Sequence, residues 1–301
     1  MMVVAGEIVE FTDPGCPWCW AAEPSLRWLA RLYGPWMRWR RVFGVQLDGE
    51  PGADGTEPAS EVHDRWLAAA RHGGVGVTNS LERIHASSRP AALAAKAAER
   101  QGPAAADDAL RALREAYFLA GRPPDTEERI ADALAGIPGL DVPRLLHDMT
   151  EPGVLAALQA DWRETRDPHP SVIGLAGPGP HPGAAKQEEH TVRYAFPTII
   201  VRGSGGERVV PGWRSPSVYR EAVRAAAPEL RRAPEPPALE PDLALERYRS
   251  LSSGDLALLT GGRPPKSVRA TPTATTPIWR AAVPDHHFAV KSDNLDQVST
   301  D

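Results

Sequence analysis

Residues 7–20 read Glu-Ile-Val-Glu-Phe-Thr-Asp-Pro-Gly-Cys-Pro-Trp-Cys-Trp, and the order of residue types in this stretch decides the fold. Glu7 to Thr12 alternate polar and apolar side chains, with Ile8, β-branched Val9 and Phe11, which is the period of a strand. Asp13-Pro14-Gly15 is turn chemistry. A helix opens at Cys16, with Pro17 at its first position, where a missing N–H costs nothing. Ala22, Leu26, Leu29 and Tyr33 carry one apolar face along it. Pro24 removes a hydrogen bond to the Trp20 carbonyl and predicts a kink. Gly34-Pro35 ends the helix, and Met37 to Leu47 read as a second strand. The first 47 residues are therefore a βαβ unit with a Cys-x-x-Cys pair at the strand-to-helix junction.

That position has a chemical consequence. A thiolate, not a thiol, attacks a disulfide, and an unperturbed cysteine with a pKa near 8.5 is only about 3% ionised at pH 7. The free N–H groups and dipole of a helix N-terminus favour the anion, by about one pH unit for the dipole alone. Direct hydrogen bonds from the Trp18 and Cys19 amides add to this, predicting a Cys16 pKa of about 5 to 7. Cys19 lies nearly one turn further on the same face, within disulfide reach, and is expected to be more buried and less acidic. It would attack the mixed disulfide and release substrate. The redox pair needs no other cofactor.

Other readings of the same residues stand beside this one. A Cys pair is half of a zinc site, but the chain has only 2 cysteines. His63, His72, His85, His181 and His190 are scattered without a close ligand pair, so no metal is expected. Two inert buried thiols are the remaining alternative. Trp18 and Trp20 flank Cys19; Trp20 reads as core, and Trp18 equally as core or as an apolar contact for substrate. Glu23, one turn after Cys19, is either a buried acid handling the Cys19 proton or a solvated helix carboxylate. Pro197 opens a strand after Ala195-Phe196, an unusual place because proline cannot donate to the ladder. Facing a Cys-x-x-Cys pair, it is expected to be cis, with the preceding backbone free to pair with substrate.

Downstream, Glu50 to Pro58 is a Gly/Pro/Asp linker, followed by about a hundred residues of helical periodicity. Leu110, Leu113 and Tyr117 share one face, Leu155, Leu158 and Trp162 another, and Ile130 and Leu134 form a shorter pair. Asp167 to Gly183, rich in Pro and Gly, returns the chain. Pro197 to Arg202 and Glu207 to Val210 form a hairpin about residues 203–206. Ser215-Pro216 starts a helix with Val218, Tyr219, Ala222, Val223 and Ala226 on its apolar face. Strand, helix, strand, helical block, hairpin and helix make an α/β thioredoxin core split by an all-helical insertion. The expected parts are 1–57 and 184–232 for the core, 58–183 for the insertion and return linker, and 233–301 for an extension. Leu243 to Thr260 read as a pair of short helices. Beyond Gly261 periodicity is lost, predicting a segment disordered or attached only in places; His286-His287 read as exposed.

A net charge of −5 over 301 residues gives no electrostatic reason for nucleic-acid binding. Met1 to Glu7 lack the basic and apolar regions of a signal peptide, and no stretch approaches the roughly 20 apolar residues of a membrane span. A cytoplasmic protein is expected, a setting in which a lone cysteine pair is more often catalytic than structural.

Over about residues 7–230 the chain resembles the DsbA family of thioredoxin-like oxidoreductases, and within it the FrnE-like branch and its protease-adaptor relatives. The resemblance rests on residues 11–20 (Phe-Thr-Asp-Pro-Gly-Cys-Pro-Trp-Cys-Trp), residues 87–102 (Ser-Ser-Arg-Pro-Ala-Ala-Leu-Ala-Ala-Lys-Ala-Ala-Glu-Arg-Gln-Gly), residues 110–118 (Leu-Arg-Ala-Leu-Arg-Glu-Ala-Tyr-Phe) and Phe196-Pro197-Thr198. It implies thiol–disulfide exchange with protein or low-molecular-weight thiols, Cys16 as nucleophile, Cys19 resolving and Pro197 as the cis-proline. Phe196 departs from the small or β-branched residue usual there, which bears on substrate choice. Two rival functions share the scaffold: a protease adaptor that presents a client, and a glutathione-dependent transferase or isomerase. The second commonly carries a lone nucleophilic or glutathione-orienting residue, often serine, and the cysteine pair argues against it.

Overall fold

A computed structural model of the chain describes residues 4–281 apart from 82, 178 and 189. Strand β1 (Gly6–Thr12) runs into helix α1 (Pro17–Tyr33), which returns to strand β2 (Met37–Phe43). Six helices follow: α2 (Ala59–Gly73), α3 (Arg89–Ala98), α4 (Pro103–Phe118), α5 (Glu127–Leu134), α6 (Val142–Asp148) and α7 (Pro152–Thr165). A two-residue pairing of β3 (Lys186–Gln187) with β4 (Val192–Arg193) leads to the hairpin β5 (Thr198–Gly203) and β6 (Gly206–Pro211), then helix α8 (Pro216–Ala226). The central sheet has the order β2-β1-β5-β6, with β2 parallel to β1 and β5 antiparallel to it. This is the thioredoxin fold, with the helices α2–α7 inserted between β2 and β5.

The strand period divides β1 between two cores. Ile8 packs with Leu26, Leu29, Met37, Val201, Tyr219 and Val223, beneath α1 and α8. Val9 and Phe11 point the other way and join Cys16, Cys19, Val42, Tyr194, Phe196 and Ile200. The helical block has its own core, centred on Trp66, Leu110, Leu113, Tyr117 and Phe118, into which Trp20 of α1 inserts. Close approach of α1 and α2 depends on Gly73: a Cβ there would lie 2.1 Å from the Ala21 carbonyl oxygen.

Several sequence expectations are adjusted. Strand β2 ends at Phe43 rather than Leu47, because the chain turns away at Gly44 and Val45, whose φ is 49°. The Gln46 and Leu47 amides are then used by Asp13 (2.6 Å) and Ser88 (3.3 Å) instead of a sheet neighbour. In α7, Leu155 is 47% exposed, and the buried residues are Val154, Leu158, Asp161 and Thr165. Asp161 is drawn inward by Lys96 at 2.7 Å and by the Phe43 amide at 3.1 Å. Pro24 lies inside α1, and the helix continues past it to Tyr33.

The C-terminal segment continues as α9 (Pro241–Tyr248), β7 (Ser250–Ser252), α10 (Ser253–Asp255) with a π-helical turn over Leu256–Thr260, and β8 (Ile278–Arg280), paired antiparallel with β7. It folds back onto the rest: Arg27 donates to the Ser250 carbonyl (3.1 Å), Arg111 to the Ser250 hydroxyl (3.0 Å), and Ala274 N–H to the Val77 carbonyl (2.7 Å). Past Gly261 the anchors are hydrogen bonds such as those of Ala274 N–H and the Thr275 hydroxyl to the Val77 and Val75 carbonyls, which carry no hydrophobic period, and that is why the sequence there reads as unattached. His286-His287 lie outside the described residues. No described helix is long and apolar enough to cross a membrane.

Candidate active site

Cys16 is the N-cap of α1, with extended backbone (φ −83°, ψ 118°), and Pro17 occupies the first helical turn. The loop before it is fastened by the Asp13 carboxylate, which accepts from the Gly15 amide (2.8 Å), the Gln46 amide (2.6 Å) and the Ser88 hydroxyl (2.7 Å). Three partners on one buried carboxylate fix where β1 hands over to α1, and so where the sulfur sits. Both cysteines are free thiols, and Cys16 is 3% exposed.

The two sulfurs have opposite electrostatic fates. Burial alone pushes the Cys16 thiol up, but hydrogen bonds to its sulfur from the Cys19 side chain and from the Cys19 and Trp18 amides outweigh that, so its pKa falls below the ordinary value. Cys19 is raised well above the ordinary value by burial, by its bond to Cys16 and by the charge there. Arg114 and the Thr12 hydroxyl pull Cys19 partly back. The arrangement makes one sulfur an available nucleophile and holds the other as a protonated reserve.

Glu23 is buried, as one of its two sequence readings has it, but its partners hold it as an anion rather than as a proton-carrying acid. It pairs with Arg111 (3.0 Å), Arg114 (2.8 Å) and Arg27 (3.4 Å). Although burial opposes ionisation, Arg111, Arg114 and Arg27 hold its pKa at about 2. A group already ionised far below neutrality carries no proton for Cys19, and it is not solvated either. Trp20 is fully buried, donates from its indole to the Gly76 carbonyl (2.9 Å) and stacks on Phe118. Trp18 is only partly buried. Its ring is sandwiched between His181 (centroids 5.2 Å apart) and His72 (5.7 Å).

Phe196 and Pro197 lie against the pair. Their peptide bond is cis, and the Phe196 carbonyl accepts from the Cys16 thiol at 3.4 Å. The Phe196 ring fills the space beside Gly44, where a Cβ would come within 1.9 Å of it. The carbonyl before Pro197 is not free: His181 Nε2 donates to it at 2.9 Å. His181 was missed as a site residue because it sits in a Pro/Gly-rich linker without periodicity. The signal available was Pro180-His181-Pro182, one functional side chain on a stiff backbone. Among the described residues no group of three or more His, Cys, Asp or Glu side chains is placed to hold a metal ion.

Fold and site together define a thioredoxin-type protein with a buried dithiol. A family profile described as Thioredoxin matches residues 10–172, and the chain belongs to that family. Relatives named ClpXP adapter protein SpxH are similar to it. The one from Shouchella clausii is 32% identical over 161 residues, covering 54% of this chain and 53% of the relative. That of Halalkalibacterium halodurans is 35% identical over 170 residues (54% of each), and that of Bacillus subtilis 26% over 260 residues (84% of this chain, 77% of the relative). The chain spans about half the length of the first two. Among solved structures, a proposed protein disulfide isomerase from Nitrosomonas europaea superposes with a TM-score of 0.56 at 15% identity, over 72% of this chain and 95% of that one. A proposed DsbA oxidoreductase from Streptomyces coelicolor gives 0.52 at 19%, over 78% and 94%. These likenesses establish the shared DsbA-like fold.

Proposed function

We propose that this protein is a DsbA-type thiol–disulfide oxidoreductase acting through Cys16 and Cys19 on protein or low-molecular-weight thiol substrates. The observation that carries the reading is the asymmetry of the pair: Cys16, at the helix N-cap, is shifted toward the thiolate, while Cys19 behind it is shifted away. The Cys16 thiolate attacks a substrate disulfide, forming a mixed disulfide and releasing one substrate thiolate. Cys19 then attacks the Cys16 sulfur; the second substrate thiol departs with the Cys19 proton, and the protein is left as the Cys16–Cys19 disulfide. Two electrons pass from protein to substrate, and the reverse sequence oxidises a substrate dithiol. Pro197 and Phe196 form the wall against which the reacting sulfurs are held, with Pro17 and Trp18 as their other boundary. A cytoplasmic setting goes with this reading, on the chain's use of cysteine at this site alone.

The test is turnover of a low-molecular-weight disulfide by the purified protein, which Cys16→Ser abolishes. Undiminished turnover in that variant sinks the proposal.

The names of the relatives support a second reading, a protease adapter built on the same scaffold. The double substitution Cys16→Ser with Cys19→Ser separates the two. Adapter activity survives it, and exchange does not.

A further inference from the structure

The Phe196 carbonyl stands beside the nucleophile; both of its acceptor positions are taken while Cys16 is a thiol, and His181 holds one of them whichever form the sulfur is in. A carbonyl oxygen has two lone pairs; here one receives the Cys16 thiol at 3.4 Å and the other His181 Nε2 at 2.9 Å. Because a carbonyl only accepts, His181 carries its proton on Nε2. Burial, its largest influence, lowers the His181 pKa to about 4, so the ring is neutral at pH 7.

This contact is built rather than incidental. The His181 ring stacks on Trp18. Arg214 clamps the main chain around it, donating to the His181 carbonyl at 2.9 Å and the Pro182 carbonyl at 2.7 Å. Gly183 then lies so close to Gly212 that a Cβ on it would come within 2.2 Å of the Gly212 nitrogen. His181 itself is 8% exposed.

We propose that His181 sets substrate choice by occupying the Phe196 carbonyl, so that Cys16 takes small disulfides in preference to disulfides carried on extended peptides. The inference rests on the exchange reading and narrows its substrate class. An extended peptide that brings a disulfide to Cys16 lays its main chain along this wall, and its N–H groups need acceptors. With His181 already on the carbonyl, the peptide N–H must share that oxygen with it or displace His181 and leave the imidazole N–H to find another partner. A small disulfide has no main chain to satisfy and needs only the sulfur.

The experiment uses the reduced full-length protein in single turnover with two matched substrates. One is bis(2-hydroxyethyl) disulfide; the other is a decapeptide of alternating Thr and Lys around a central cysteine joined to 2-mercaptoethanol. His181→Phe keeps an aromatic ring against Trp18 and removes the donor, and His181→Ala removes both. In each variant the peptide-to-small rate ratio is expected to rise roughly 3- to 10-fold, the span of one net hydrogen bond. An unchanged or lower ratio overturns the proposal. Binding of the same peptide with serine for cysteine, followed by titration calorimetry, needs no chemistry. Binding tighter by the same factor in His181→Phe upholds the assignment, and unchanged binding overturns it. If no protein exchanges with either disulfide, the oxidoreductase reading falls and this binding result alone decides the role of His181.

Discussion

Arg114 of the inserted helical block reaches the Thr12 hydroxyl at 2.7 Å, and that hydroxyl in turn meets the Cys19 sulfur. The same guanidinium pairs with Glu23 at 2.8 Å and Glu10 at 3.5 Å. A helix far along the chain thus supplies the positive charge behind the resolving cysteine.

Replacing Arg114 by Met leaves two buried carboxylates short of a partner. The expected loss is about 3–5 kcal/mol of stability, the usual cost of breaking a buried ion pair from one side. The Cys19 thiol also becomes harder to ionise, because Arg114 is the leading influence pulling it down. Urea denaturation reads the first effect, and the pH dependence of Cys19 alkylation in a Cys16→Ser background reads the second. Arg114→Lys, which keeps the charge, is expected to lose less of both.

Glu23 makes stability depend on acid. Its carboxyl falls from an ordinary 4.5 to about 2 in the folded protein. A depressed folded-state value stabilises above the unfolded pKa and is lost as pH drops through the folded one. The window is therefore pH 4.5 down to 2, and the amount is on the order of 3 kcal/mol at about 1.4 kcal/mol per pH unit. Denaturation at stepped pH is expected to show a shallower slope across that window in Glu23→Gln, together with a lower plateau at neutrality. An identical slope would contradict the three-arginine pairing.

The two thiols should separate chemically. With Cys16 lowered and Cys19 raised, iodoacetamide at pH 7 is expected to modify Cys16 first and leave Cys19 as the slow site, as peptide mass mapping would record. In Cys19→Ser the mixed disulfide on Cys16 has nothing to resolve it and accumulates. Equal labelling of both thiols would count against the asymmetry.

Gly44→Ala probes the wall opposite the sulfurs. The new Cβ would come within 1.9 Å of the Phe196 ring, so either the ring moves or the end of β2 does. Overpacking of this kind costs typically 1–3 kcal/mol. Exchange is expected to slow together with a lower thermal midpoint, whereas an exposed control such as Leu155→Ala should change neither.

Much of this was legible in residues 7–20, because strand period, turn chemistry and a proline after the first cysteine are all local signals. The Cys16 N-cap and the strand at Thr198–Gly203 follow from such signals. What local pattern does not carry is the third dimension of charge. Glu23 sits on an ordinary-looking helix turn, and only the folding of Arg111 and Arg114 onto it shows that it is locked as an anion. His181 is the same case in a linker: no periodicity marks it, and nothing local ties it to its partners Trp18 and Phe196. The extension's anchors at Ser250 and Ala274 are likewise hydrogen bonds without a period.

The claim on which the account depends is that Cys16 and Cys19 are a working redox couple. Equilibrating the protein in a series of glutathione or dithiothreitol buffers, quenching with acid and counting free thiols by mass tests it directly. The account predicts one reversible transition to an intramolecular Cys16–Cys19 disulfide, tenfold in ratio for each ~30 mV, as a two-electron couple requires. Thiols that stay reduced at every potential, or that oxidise only between molecules, would contradict it.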